Sequence, residues 1–194
     1  VSFCYAGNLV AIEMSAAGKP HYIDEENCLQ CGICFLICPQ INSLDEDIIG
    51  VALDGIGYGD DGNIWGGEFF ISNLSEYKRY TYFEYIPTPG GDKAAEEPWR
   101  MAISYLYKVY KDKFEDLNIP FLINLDKNKV KLIKHAITNK INCPLTSSVG
   151  RFFDSISALL ELCCYSDYEA EAPMKLEAVI ENNVKDHYNV LIKD

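Results

Sequence analysis

The sequence predicts an α/β fold, a mixed sheet with flanking helices, preceded by a short segment of a different kind. Three observations carry this expectation. The apolar run Ile48-Ile49-Gly50-Val51-Ala52-Leu53 reads as a buried strand and ends on Asp54. The turn signal Asp60-Asp61-Gly62-Asn63 leads to a returning strand over Glu68 to Ser72. From Pro98 onward, apolar residues recur at helical spacing.

The elements follow in chain order. Gly18 to Asp24 reads as a short strand entering a cysteine run. Asn42 to Asp47 is a polar join, and the pattern changes there, which suggests residues 1–44 and 45–194 as separate units. Beyond the hairpin, Tyr77 to Ile86 is a strand candidate rich in tyrosine, whose stripe suits sheet packing more than a stacking platform. Pro87 to Gly91 breaks it. Pro98 suits the first turn of a helix, where its missing N–H is no loss. That helix runs to about Lys113, with Trp99, Ala102, Ile103, Leu106 and Tyr110 on one face. Asp126 can cap a second helix carrying Val130, Ile133 and Ile137. Ser147 or Ser148 can cap a third, with Phe152, Phe153, Ile156, Leu159, Leu160 and Cys163 inward. A fourth is expected over about Ala172 to Asn183.

The hairpin is the richest stretch chemically. Gly50, Gly55, Gly57, Gly59, Gly62, Gly66 and Gly67 surround Asp54. A strand that ends in Asp-Gly and turns through glycines lets backbone N–H groups approach an anion closely. The aspartate can then hold a metal ion. Phosphate loops of the actin and sugar-kinase type of ATPase are glycine-lined hairpins of this kind, although tight turns alone also use glycine. The helix after Ser147-Ser148-Val149-Gly150 offers a second anion site through its N–H groups and dipole. Arg151 can grip a phosphate or carboxylate in a two-pronged fork. Asp154, one turn on, can fix Arg151 or a ribose hydroxyl. The alternative is a plain capped helix with a surface ion pair.

Three ordered blocks resemble the HypF family, the carbamoyltransferases of [NiFe]-hydrogenase maturation. They are DGIGYGDDGNIWGGEFF from Asp54, PGGDKAAEEPWRMA from Pro89, and CPLTSSVGRFFD from Cys143, followed by Tyr168-Glu169-Ala170-Glu171-Ala172. The resemblance spans roughly Asp47 to Asn183. It implies an actin-like lobe of the RNase H-like class, similar to the universal tRNA-modification ATPase. It also implies ATP and carbamoyl phosphate as substrates, carbamoyl-adenylate as the intermediate, and a HypE-type protein whose C-terminal cysteine accepts the carbamoyl group. Asp54, Arg151 and Asp154 are then the expected catalytic residues. Gly55, Gly57, Gly66, Gly67, Ser147, Ser148 and Gly150 are the expected nucleotide contacts, with a divalent metal (iron, zinc or magnesium) on Asp54.

Two departures bear on activity. The family's His-rich metal motif is absent: His21, His135 and His187 form no HxxxH pattern. The family also continues into a further nucleotide site and another metal-binding aspartate, whereas the sequence runs from Val1 to Asp194. The chain is therefore expected to be a fragment, with little carbamoyl transfer on its own.

Cys28-x2-Cys31-x2-Cys34-x3-Cys38-Pro39 is the run of bacterial ferredoxins and points to a [4Fe–4S] cluster. Zinc or a disulfide framework is the alternative. Cys38 either turns back to the same cluster or leaves the fourth position to a remote cysteine, of which Cys4 is nearest. The segment resembles the ferredoxin-like start of coenzyme F420 hydrogenase beta subunits. An iron–sulfur electron-transfer protein is thus the rival reading to a carbamoyltransferase. Cys143, Cys163 and Cys164 read as buried or incidental.

Composition sets limits. A chain of 194 residues with 48% hydrophobic content can hold one domain, or one and a small appendage. A net charge of −12 argues against nucleic acid. No apolar run reaches the length of a membrane span. Eight cysteines with a cluster motif fit a reducing, cytoplasmic setting.

Overall fold

In the computed structural model the sheet is built around one long hairpin. The structure describes residues 47–73, 76–181 and 184, together with four short strands nearer the N-terminus. These are β1 (Tyr5–Ala6), β2 (Leu9–Val10), β3 (Ile12–Glu13) and β4 (Tyr22–Ile23). The main sheet holds β5 (Ile48–Tyr58), β6 (Ile64–Ser72), β7 (Tyr77–Tyr82), β8 (Ile86–Pro87) and β9 (Leu145–Thr146). The helices are α1 (Lys93–Glu96), α2 (Trp99–Tyr110), α3 (Pro120–Asn124), α4 (Lys127–Thr138), α5 (Val149–Leu159) and α6 (Glu171–Ala178), with a 3-10 helix over Lys111–Asp116.

Antiparallel pairs β1–β2 and β3–β4 stand near the N-terminus, and β4 falls inside the strand expected over Gly18 to Asp24. Cys28, Cys31, Cys34 and Cys38, with Cys4, lie outside the described residues. Strand β6 is the centre of the five-stranded mixed sheet. It pairs with β5 along one edge, and β7 and β9 share its other edge, β7 antiparallel and β9 parallel. Strand β8 then joins antiparallel to β9. The α/β expectation holds, in the mixed form the sequence predicts.

Capping decides where the helices begin. Asp126 accepts a hydrogen bond from Asn128 N at 2.8 Å and starts α4. Of the two serines proposed for α5, Ser148 is the cap, accepting from Arg151 N at 3.1 Å. Trp99, Ala102, Ile103 and Leu106 of α2 join Val130, Ile133 and Ile137 of α4, and Phe114, Phe121 and Ala158, in the main core. A second cluster of Ile86, Ala94 and Met101 lies under β8.

Several boundaries differ from expectation. Strand β5 does not stop at Asp54 but continues to Tyr58, because β6 begins earlier, at Ile64, and still pairs with it. The tyrosine-rich strand ends at Tyr82, because Ile86 is drawn into a different pairing, with Thr146. Tyr110 is exposed, since a 3-10 turn follows it directly. Of the face expected inward on α5, Leu159 packs on the core and Cys163 just beyond it is buried, but Phe153 and Leu160 are exposed, and Asp154, Ser155, Ser157 and Ala158 are buried. Small side chains there let α2 pack closely along it. Helix α6 ends at Ala178. Among the described residues no helix is long and apolar enough to cross a membrane.

Candidate functional site

A register shift places the site. Leu53 pairs with Gly67 and Gly57 pairs with Trp65, so Asp54, Gly55 and Ile56 stand opposite Gly66 alone. A bulge of this kind bends its strand and redirects side chains. Asp54 is exposed, and its Oδ1 accepts from Gly55 N at 2.6 Å.

The start of α5 sits against this bulge. Ser148 Oγ lies 2.8 Å from both Asp54 O and Gly55 O, donating to these two carbonyls, while Ser148 N donates to Thr146 Oγ1 at 3.0 Å. Backbones meet so closely that three glycines are required. A Cβ on Gly66 would fall 2.5 Å from Asp54 O, one on Gly67 2.3 Å from Ser147 O, and one on Gly150 2.7 Å from Gly55 Cα. Gly57 lies beside Trp65, and Gly55 next to the Arg151 guanidinium.

Glu68 holds the same region from inside the sheet. It is buried, and its Oε2 accepts from Gly66 N and Gly67 N, each at 2.7 Å. Its Oε1 accepts from Ser147 Oγ and, at 2.9 Å, from Arg79 Nη2. Arg79 is sandwiched 4.0 Å from Trp65 and 3.6 Å from Tyr82, and reaches Asp61 at 3.2 Å. Asp61 also accepts from Trp65 Nε1, Asn63 N and the Tyr85 hydroxyl. Hydrogen bonding, from Tyr85 above all, holds its carboxyl well below the usual carboxylate range. Sequence reasoning missed Glu68 and Arg79. The signal available was a lone acid inside an apolar strand, with an arginine on the next strand.

Arg151 and Asp154 meet as expected, at 3.0 Å between Nη2 and Oδ2, and both side chains are largely buried. Burial pushes the Asp154 carboxyl up to about 6, against the opposing pull of Arg151. Arg151 Nε and Asp154 Oδ2 have no hydrogen-bond partner among the described residues. Tyr105 packs on Phe152, and burial first, then the Asp154 charge, raise its phenol. Cys143 and Cys164 are half-buried free thiols and Cys163 a buried one.

The three sequence blocks converge physically. The segment before α1 is tied to the one before β9 by Thr88 N to Pro144 O and Gly90 N to Asn142 O, both 2.8 Å. The latter segment joins the hairpin through the Ile64–Thr146 pairing and through Ser147 N to Ile64 O at 3.0 Å.

That assembly has a counterpart among known families. Residues 50–194 match the family model described as "Carbamoyltransferase, Kae1-like Domain, second subdomain". The chain belongs to the HypF carbamoyltransferase family. It is 38% identical to the probable carbamoyltransferase HypF of Methanocaldococcus jannaschii over 77% of this chain and 19% of that protein. It is 32% identical to the carbamoyltransferase HypF of Synechocystis over 75% of this chain and 20% of that protein. A full-length HypF crystallised in a phosphate- and nucleotide-bound form superposes with a TM-score of 0.70 at 31% identity, covering 84% of this chain and 21% of that one. T. kodakarensis HypF superposes with a TM-score of 0.61 at 35% identity, covering 72% and 20%. The chain thus spans about a fifth of the length of the HypF relatives it matches. Separately, residues 21–40 match a 4Fe-4S binding domain. HypF membership accounts for the convergence of the three blocks.

A metal site is a separate matter. Among the described residues no group of three or more His, Cys, Asp and Glu side chains comes together to hold a metal ion. Asp54 offers one carboxylate where a catalytic divalent site needs three or more protein ligands. These residues alone do not fit a divalent metal.

Proposed function

We propose that this chain supplies the second subdomain of a HypF-type site that forms carbamoyl-adenylate from carbamoyl phosphate and ATP and passes the carbamoyl group to the C-terminal cysteine of a HypE-type acceptor. The seating of the Ser148–Arg151 helix start on the Asp54–Gly55 bulge carries this reading, with the remaining family block tied in through the segment before β9. Arg151 lies beside Gly55 on the first turn of α5, where a positive dipole end adds to its charge. It is the anion contact of the site, gripping a phosphate or acyl phosphate. Asp154 fixes the guanidinium from within the fold. Gly55 carries no side chain beside the Arg151 guanidinium, so an anion held by Arg151 can approach the backbone there. Ser147, Ser148, Gly66, Gly67 and Gly150 hold the two segments together behind it. Catalysis is by fixed charges and donors aimed at developing phosphate charge. The second subdomain supplies one part of such a site.

Equilibrium ATP binding to the full chain tests this. Arg151→Ala and Asp54→Ala are each expected to weaken it about tenfold or more, which is about 1.4 kcal/mol. Absence of ATP binding, or binding that neither substitution changes, would refute the reading.

The cysteine run favours a second activity alongside the first. Four thiolates at ferredoxin spacing have the donor chemistry of a [4Fe–4S] site, and the 4Fe-4S family match covers Cys28, Cys31, Cys34 and Cys38. These four cysteines would hold the cluster, which when bound supplies a one-electron carrier. A cluster and a cytoplasmic, reducing location go together.

A further inference from the structure

The Glu68 carboxylate has surroundings that a structural carboxylate does not require. It is 1% exposed, yet it is no half of a simple ion pair. Four donors from three separate segments point at its two oxygens. Two are the consecutive amides of Gly66 and Gly67, one is the Arg79 guanidinium, and one is the Ser147 hydroxyl. Two adjacent backbone N–H groups, an arginine and a hydroxyl are the parts from which proteins build oxyanion sites. Here the oxyanion belongs to the chain itself.

What the cradle connects is equally specific. Ser147, held by Glu68, is followed by Ser148, which donates to Asp54 O and Gly55 O. Ser148 also caps the helix that carries Arg151. Behind Glu68, Arg79 is locked by stacking on Trp65 and Tyr82 and by Asp61. One carboxylate therefore sets the distance between the hairpin and the start of α5.

We infer that Glu68 is a positioning residue: a built-in oxyanion that fills a four-donor cradle and thereby fixes Arg151 against the Asp54–Gly55 bulge. The Gly66 and Gly67 amides serve this internal carboxylate and not a substrate phosphate. The inference rests on the proposed function for what is positioned, but not for the cradle itself.

The test is chemical rescue of the full chain, purified anaerobically. Glu68→Ala empties the cradle and leaves a hole that formate fits. Its thermal stability is expected to fall, then to rise saturably with formate, by about 3–6 °C at ten times the half-saturating concentration. Chloride at equal ionic strength should do nothing. The parent and Ile133→Ala, a core variant far from the cradle, should not respond to formate. Glu68→Gln keeps the shape but sets an NH2 group among donors, and it should be destabilised without rescue. If Glu68→Ala does not fold in buffer, the refolded fraction in formate against chloride gives the same reading. A Glu68→Ala chain indifferent to formate, or one no more responsive than Ile133→Ala, overturns the cradle. ATP affinity tests the positioning. It should fall about tenfold in Glu68→Ala and return with formate, and an affinity untouched by the substitution overturns that part. A parent chain that binds no ATP, with formate rescue intact, refutes the proposed function and leaves the cradle standing.

Discussion

Asp154 tests whether burial or pairing governs the centre of the site. The perturbation is Asp154→Asn, close to isosteric and neutral. The carboxyl is buried, with Arg151 3.0 Å away, and its ionisation is pushed from 3.8 to about 6. Burial therefore outweighs the guanidinium. Raising a carboxyl that far costs the folded state about 3 kcal/mol at neutral pH, at about 1.4 kcal/mol for each tenfold change. The sign follows from the protons bound. Between pH 4 and 6 the folded chain holds a proton on Asp154 that the unfolded chain has lost, so stability falls as pH rises through that window. Asparagine mimics the protonated form at every pH. Urea unfolding of parent and variant from pH 4 to 8 is the assay. The variant should be more stable by about 2–3 kcal/mol at pH 7, with the gap closing through pH 6 and gone near pH 4. A variant less stable than the parent at pH 7, or a gap that ignores pH, would show that the ion pair outweighs burial. If the variant is more stable but binds ATP less well, the buried charge is kept for function at a cost in stability.

Gly150→Ala sets two opposing terms against each other. Alanine favours a helix by about 1 kcal/mol. Its Cβ would meet the Gly55 backbone at 2.7 Å, and such overpacking costs about 1–3 kcal/mol. A lower urea midpoint is expected, together with weaker ATP binding, and a stabilised variant would contradict the close approach of α5 to the bulge. For the cysteine run, anaerobic protein should carry about four iron and four acid-labile sulfide per chain, lost in Cys31→Ala. A parent without iron would exclude the electron-transfer activity.

Much of the fold is legible in the sequence because the relevant signals are local. Asp126 and Ser148 cap the helices that the polar-to-apolar transitions mark. The Asp60 to Asn63 turn closes the hairpin where turn chemistry places it, with Gly62 at φ 78°. What the sequence hides depends on distant partners. Ile86 leaves the tyrosine strand because Thr146, sixty residues on, offers the better pairing. Phe153 and Leu160 look like core residues by spacing. They lose that place to Ser155, Ser157 and Ala158, because a close neighbour helix selects small side chains over large ones. At the candidate site, the pairing of Arg151 with Asp154 is legible from their spacing on one helix, and the structure brings Arg151 beside Gly55. Glu68 was not readable. A glutamate in an apolar strand can face solvent as easily as a cradle, and only the register of β6 against β7 decides between them.

Several departures from good local structure lie where the hairpin meets the start of α5. A bulge interrupts the β5–β6 ladder at Asp54 to Ile56. A carboxyl ionises against its burial at Asp154. Three backbone contacts admit no side chain at Gly66, Gly67 and Gly150. Each feature costs stability, and a hairpin-and-helix scaffold of this size needs none of them to fold. The helical core of Trp99, Ile103, Phe114, Phe121 and Ile133 is assembled from ordinary apolar packing. Sequences keep local conflicts chiefly where function demands them. Costs that meet between the hairpin and the start of α5 are what the proposed anion site would impose on its fold. A surface that served only as a scaffold would be expected to replace Asp154 with a neutral residue and straighten the strand.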